Sequence, residues 1–394
     1  MDKGARRHHV PTIEHPKYME ALELCYAHIN RAEKGSMVLV TGMSGSGKGT
    51  IAAEIVRRLT EKNPMLNDWD MPIVEMIATN SENAYYSSKD TVSRLLNVLK
   101  DPFHSVGREE VLEKVGIRAS PASHRSITEG TMRQRVTRLL KGRNVRYLII
   151  DEADMMCVIK KSGRDEADHL ESWRLLALDA EVVIVFLATF RILKLWDRTS
   201  QFTRKMPTVH VQRYVIEIDE DVESFVGLIE QMCDFYRIAK GEREKIIKNA
   251  AAIMTATGGV FGQLKGLFDR ADERAEAMGR KTISLADISY ALPRRNQVKR
   301  LWVEINAGER ALESSNFEEL AREAKAARLA ASKKKVGPDR AETSDNADTK
   351  TDVSSATEAS EQPGDNARGD HARPSKGKGR RRAKPKPRLP VKRA

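Results

Sequence analysis

Apolar residues follow two different spacings along this chain. Four short stretches are almost continuously apolar: residues 37–40, 72–79 (P-I-V-E-M-I-A-T), 146–150 and 181–189 (E-V-V-I-V-F-L-A-T). Runs of this length, rich in β-branched residues, predict strands buried on both faces of a parallel sheet. A further strand-like run covers 209–218. Between these stretches the apolar residues recur every three or four positions, the period of amphipathic helices. Tyr18, Met19, Leu22, Leu24 and Ile29 mark one helix, after a break at His15-Pro16. Others are predicted at 51–59, at 87–99 with Val92, Leu95, Leu96 and Leu99 on one face, at 128–141, at 170–178 and from 192. From Val222 onward only the helical period remains, over 222–236, 243–255, 261–278 and 285–292. Gly258-Gly259 separates two of these helices, and Ser284 caps the last, with Asp287 completing an imperfect capping box.

Strands interleaved with helices predict an α/β fold, a three-layer core around a parallel sheet. The expected division is a lead-in and helix at 1–36, the α/β core at 37–220, a small helical domain at 221–295, a helical extension at 296–332 and a tail at 333–394. Composition changes the picture mainly for the tail. The chain has 394 residues, 40% hydrophobic and 5% aromatic, with a formal charge of +12. Mean hydropathy is −0.52 and the isoelectric point about 9.5. Much of the positive excess sits at the C-terminal end, from Lys376 to Arg393, with no acid after Asp370. Such a segment cannot bury enough apolar surface to fold and reads as disordered. As a nucleic-acid arm neutralising five to ten phosphates it would give a log–log salt slope of roughly −0.9 per phosphate on duplex DNA. As a solubilising tail it would give none. No apolar run approaches the length of a membrane span, and no leader-type segment opens the chain. Cys25, Cys157 and Cys233 are far apart and lack metal-ligand spacing, which fits a reduced, cytoplasmic setting.

Chemistry is concentrated at three strand ends. After the first strand comes Gly42-Met43-Ser44-Gly45-Ser46-Gly47-Lys48-Gly49-Thr50, followed directly by a helix. Glycines let successive N–H groups turn toward a phosphate, the helix N-terminus adds partial positive charge, and Lys48 supplies a full one. The hydroxyl that should follow the lysine and bind Mg²⁺ is replaced by Gly49, so Thr50 substitutes or the metal is held mainly by water, phosphate and another acid. The third strand ends in Asp151-Glu152. Ligands of open α/β sheets bind at the C-terminal ends of strands, which brings these acids beside the phosphate loop. Asp151 would hold Mg²⁺ and Glu152 would polarise the attacking water. The role of Asp154 stays open. Thr189 ends the next strand, either as a simple terminus or as a hydroxyl that positions that water.

Phosphate loop, Asp-Glu pair, polar strand end, arginine and helical domain, in this order, resemble the AAA+ ATPases over about residues 12–295. His15-Pro16 with its helix, the S-G-S-G-K loop and the L-I-I-D-E strand look like the TniB/TnsC branch, transposition regulators similar in role to MuB and IstB. The resemblance implies ATP and Mg²⁺ as ligands, with Gly42, Ser44, Gly45, Ser46, Gly47, Lys48, Gly49 and Thr50 around the phosphates and Asp151 and Thr50 on the metal. It implies that Thr189 is the sensor of the γ-phosphate and that Arg204, with Arg198 and Lys205 as rivals, is the finger reaching a neighbouring subunit. It further implies ring or helical self-assembly around duplex DNA, selection of target DNA with recruitment or activation of a transposase, a target-selection protein as a further partner, and a cytoplasmic, nucleoid-associated setting. Lys100, Lys114, Arg118 and Arg125 are the candidate DNA contacts. At the lid, 259–266 resembles the start of the sensor 2 helix, but the arginine position is Gly262; Lys265 lies one turn further. Together with Gly49 this implies a slow ATPase, more switch than motor. A helicase loader or initiator would share the core and differ in partner. The G-K-G-T ending also looks like adenylate kinases, but those do not need an Asp-Glu pair to activate water. A scaffold with a structural nucleotide would leave Lys48 and Glu152 without a task.

Overall fold

The structure, a computed structural model, describes residues 13–79, 85–101, 128–158, 167–196, 206–313 and 316–335. Among them, five strands form one parallel sheet: β1 (Met37–Thr41), β2 (Ile73–Ile77), β3 (Tyr147–Asp151), β4 (Val183–Ala188) and β5 (Thr208–His210), in the order β2-β3-β4-β1-β5. Successive side chains of a strand point to opposite faces, so the inner strands β1, β3 and β4 feed two cores, while the edge strand β2 buries Val74 and Met76 on one face and exposes Glu75 and Ile77 on the other. Leu39, Leu148, Ile150, Ile184 and Phe186 face one, and Val38, Val40, Ile149, Val185 and Leu187 the other. This double burial is the physical reason the inner strand sequences read as unbroken apolar runs.

Helices cover both faces. On one side α1 (Pro16–Arg31) and α2 (Lys48–Lys62) bury Leu22, Cys25, Ile29, Ile55 and Leu59. On the other, α3 (Ser88–Val98), α4 (Glu129–Gly142) and α5 (Ala167–Ala180) bury Leu95, Val136, Leu140, Trp173 and Leu176. Trp173 is fully buried, and its indole N–H donates to the Tyr86 hydroxyl at 3.1 Å, which meets the need of a polar atom inside a core. A short helix, α6 (Leu193–Trp196), follows β4.

A second core belongs to helices alone: α7 (Asp219–Phe235), α8 (Arg243–Lys248), α9 (Ala250–Thr257), α10 (Phe261–Ala277) and α11 (Leu285–Ala291). Phe225, Ile229, Met232, Ile253, Leu264 and Phe268 fill it, with Ile13 and Tyr214 contributed from outside the bundle. Three acids, Asp219, Glu220 and Asp221, open α7 and complement its dipole. At α11 the expected capping box is present, Ser284 with Asp287, and the buried Asp287 is ion-paired with Arg280.

The chain then returns to the sheet. In α12 (Arg295–Leu312), Ile305 is buried in the same core as β1 and β4, and Gly308 lies against the ring of Phe190. Glu309 clamps the buried Arg213 guanidinium through two bonds of 2.8 and 3.0 Å. The indole of Trp302 lies under the same guanidinium, 5.0 Å from it, and donates to the Thr255 carbonyl at 3.0 Å. A last helix, α13 (Phe317–Lys335), starts a separate unit.

Two expectations need correction. The strand expected over 209–218 is only three residues long: Val211 N–H makes a last bond to Thr41 O at 2.8 Å, then the chain leaves the sheet, and Tyr214 N–H donates to Gly259 O at 3.0 Å. The helix expected over 243–255 is two, which meet at Asn249.

Candidate active site

β1 and β4 are neighbours in register, with Thr41 opposite Ala188. The residues that follow them, Gly42 and Thr189, therefore leave the same edge of the sheet. β3 flanks β4, so Asp151 and Glu152 arrive at that edge too. In the loop, Gly45 and Gly47 hold φ of 83° and 95°, left-handed conformations that cost glycine little. Lys48 opens α2, and its ammonium donates to the loop carbonyls of Gly42 and Met43 at 2.9 and 2.7 Å. Burial pushes the lysine below its ordinary range, against the opposing pull of Asp154, Asp151 and Glu152.

A cavity of about 400 Å³ lies over the loop. Of the residues singled out from sequence it brings together Ser44, Gly45, Gly47, Lys48, Gly49, Thr50, Asp151, Glu152 and Thr189. Gly42 and Ser46 do not line it. Gly42 sits behind the loop, where a Cβ would come within 2.7 Å of the Val211 carbonyl, and Ser46 is buried. Lys100 is outside as well; its carbonyl accepts from Arg143 at 3.1 Å. Arg204, its rivals Arg198 and Lys205, and Lys114, Arg118 and Arg125 lie outside the described residues.

Glu152 has φ 53°, rare for a residue with a side chain, and its N–H donates to Asp151 Oδ1 at 2.7 Å. Strain of this kind, of order 1–3 kcal/mol, collects at functional positions. Partial burial, then the neighbouring Asp154 and Asp151, raise its carboxyl above the ordinary range, while Lys48 lowers it. Asp154, whose role the sequence left open, is buried. Its Oδ1 accepts from Thr189 N–H at 3.2 Å, and Arg191 stands 4.0 Å from Oδ2. It ties the turn after β3 to the end of β4 and thereby positions Thr189. The Thr189 hydroxyl, which lines the cavity, is buried without a hydrogen-bond partner among the described residues, as expected of a group whose partner is phosphate or water.

The helical domain closes the cavity. Phe261, Gly262 and Lys265 of α10 line it. Gly262 N–H donates to Gly45 O at 2.9 Å, so α10 rests on the phosphate loop. A Cβ at Gly262 would lie 2.4 Å from that oxygen. The arginine of related lids has no room there. Lys265 occupies the next turn, pairing with Asp269 at 2.8 Å. Sequence reasoning missed the packing behind Phe261. His15 Nδ1 accepts from the Tyr214 hydroxyl at 2.9 Å and from Tyr18 N–H at 3.3 Å, and its ring lies 5.1 Å from Phe261. The sequence signal was His15 before Pro16, which reads as a break and is the cap of α1.

The donors suit Mg²⁺, which takes hard oxygen ligands and leaves much of its shell to water and phosphate. The Thr50 hydroxyl and the Asp151 carboxylate share the cavity, and among the described residues no group of three or more acids, histidines or cysteines is placed to hold a metal by itself. No described helix is long and apolar enough to cross a membrane.

Residues 31–195 match the AAA domain family. No curated protein matches the chain. Among solved structures, the chain is similar to the ORC2 protein of Aeropyrum pernix in ADPNP–ADP complexes, at 16% identity over 73% of this chain and 71% of that one, with a TM-score of 0.45. It is similar to the ORC1 protein of the same organism in complex with DNA, at 16% identity, 76% and 68% coverage and a TM-score of 0.46. A third is Cdc6p of Pyrobaculum aerophilum, at 12% identity, 73% and 69% coverage and a TM-score of 0.46. The chain thus has an α/β fold in which a phosphate loop follows the first strand of a five-stranded parallel sheet, and the segment carrying that loop, residues 31–195, is what matches the AAA domain family.

Proposed function

We propose that this chain is a nucleotide switch: it binds ATP, hydrolyses it slowly, and assembles on duplex DNA in its ATP-bound form. The observation that carries this reading is the bond from Gly262 N–H to Gly45 O, which seats the helical domain on the phosphate loop itself. Any ligand that occupies the loop acts on that seat. Lys48 and the N–H groups of the loop bind the phosphates. Thr50 and Asp151 would hold Mg²⁺, which supplies neutralising charge on the phosphate oxygens. Glu152 takes the proton of the attacking water, Thr189 orients that water, and Arg204 of a neighbouring copy completes the site. Gly49 and Gly262 each remove a group that would speed turnover, which favours a switch. The charge of +12 favours a polyanionic partner. The likeness of the loop and the L-I-I-D-E strand to TniB/TnsC regulators supports target-DNA selection and transposase recruitment as the task.

The test is negative-stain electron microscopy of the full chain with duplex DNA, with and without a non-hydrolysable ATP analogue. Rings or filaments on DNA only with the analogue are expected. Monomers in both conditions would sink the assembly and the trans arginine. Glu152→Gln is expected to keep nucleotide binding and lose turnover by ~10²-fold or more, the scale of a lost general base. Recovery of a replicative helicase, and no transposase, as the ATP-dependent partner would redirect the reading to replication.

A further inference from the structure

A second hollow lies on the helical domain. An open groove of about 1110 Å³ runs between α10, α11 and the first half of α12, and shares no lining residue with the nucleotide cavity. Its charge is uneven. Arg270 and Arg274 come from α10 and Arg294 and Arg300 from the start of α12, against Glu273 and Glu304. The first pair is fixed in place: Arg270 Nε donates to Ala291 O at 3.2 Å and Arg274 Nη1 to Ala286 O at 2.7 Å, with Arg274 Nε also 3.6 Å from the buried Asp287 carboxylate. Arg294 and Arg300 are exposed. Tyr290 stands at the rim, 72% exposed, with the Arg274 guanidinium 3.9 Å from its ring centre.

The groove is open and carries four arginines against two glutamates. Arg270 and Arg274 stand one helical turn apart, roughly 6 Å along the axis, and a second pair of arginines faces them. That arrangement matches a ligand whose negative charge repeats along its length. Guanidinium forks bind phosphate oxygens bidentately, and an exposed tyrosine hydroxyl is a common further phosphate contact.

We infer that this groove seats the phosphodiester backbone of DNA. The inference rests on the DNA-binding reading above and gives it a location. It also gives a route for nucleotide control. Gly262, in the first turn of α10, is bonded to the phosphate loop, and Arg270 and Arg274 lie further along the same helix. A ligand at either end of α10 acts on one rigid element, and by linkage each must change the affinity of the other by the same factor.

The experiment is fluorescence anisotropy of the full chain with a labelled duplex over a salt series, with and without a non-hydrolysable ATP analogue. Wild type is compared with Arg294→Gln/Arg300→Gln, and with Lys89→Gln/Arg138→Gln as a charge-matched change elsewhere. The groove variant is expected to bind DNA more weakly, with a log–log salt slope shallower by roughly 2, and to bind a fluorescent ATP analogue as wild type does. That retained binding also reports an intact fold. The charge-matched variant is expected to change the slope little. Equal losses in both variants, or an unchanged slope in the groove variant, overturn the groove. So does a loss confined to labelled polyglutamate, which would assign it to an acidic protein segment. A wild-type chain that binds no DNA in any nucleotide state overturns the wider reading instead.

Discussion

Two glycines decide how the nucleotide site works, for opposite steric reasons. Gly262 has no space for a side chain, because its Cβ would meet Gly45 O at 2.4 Å. Gly262→Ala is expected to lift α10 from the phosphate loop at a cost of roughly 1–3 kcal/mol. A Tm lowered by several degrees and weaker binding of a fluorescent ATP analogue would report it. Gly49 is the reverse case, since a Cβ there meets nothing within 4 Å. Gly49→Thr restores the hydroxyl that usually follows the lysine. It is expected to leave the fold intact and tighten the Mg²⁺ dependence of nucleotide binding by roughly tenfold, about 1.4 kcal/mol. An unchanged Mg²⁺ titration would show that Thr50 already fills the position. Most of this site was legible. Lys48, Asp151, Glu152 and Thr189 are read from strand ends, and parallel register brings strand ends together. Asp154 was not legible, because its task is a bond to the backbone of residue 189, and nothing in its neighbours along the chain marks that.

At the level of elements, helix ends and helix returns carry the stability that can be tested. His15 caps α1 and is held neutral: burial lowers its pKa from 6.5 to about 4. Below pH 6.5 the unfolded chain takes up a proton that the folded chain refuses until about pH 4. Stability is therefore expected to fall as pH drops through that window, by up to roughly 3 kcal/mol, and to be insensitive to His15 above it. Urea unfolding between pH 7.5 and 4.5 would show this slope, and His15→Asn, which keeps a capping oxygen, would flatten it. Arg213 is buried and depends on Glu309 of α12. Glu309→Ala is expected to cost roughly 2–4 kcal/mol by stranding that charge, and Arg213→Met/Glu309→Met to recover most of it. β1, β3 and β4 were legible because both of their faces are covered, and β2 because its residues are apolar at four of five positions although Ile77 is exposed. The fifth was overextended because the chain turns away after Val211, whose N–H makes a last bond to Thr41 O of β1, while Tyr214 is apolar because it packs into the helical core. The return of α12 to the sheet was hidden, since few of its residues, Ile305 among them, touch that core while the rest are charged and exposed.

On the scale of the whole molecule, the α/β core is closed by segments from both flanks of the matched domain. Ile305 and Gly308 stop being available if the chain is cut after the helical bundle, and Phe190, next to Thr189, loses its cover. A fragment ending at residue 292 is expected to bind a hydrophobic dye and to lose nucleotide affinity, measured against the full chain at equal concentration. The three-layer organisation itself was readable from the alternation of strand and helix periods, and the separate helical core from the point where the strand period stops.

The order of strands in space has a further consequence for synthesis. β1, which leads into the phosphate loop, pairs with nothing near it in sequence: its partners are Ile184 and its neighbours on one side and Thr208 to His210 on the other. On a ribosome adding about 5–20 residues per second, that strand waits on the order of ten to thirty seconds for its first partner. Through this interval its apolar residues are exposed on a nascent chain, a hazard that favours capture by a chaperone. The phosphate loop, anchored on β1, acquires its shape among the last features of the domain. Nucleotide binding by this chain is thus a sign that translation has passed the sheet and that the sheet has closed.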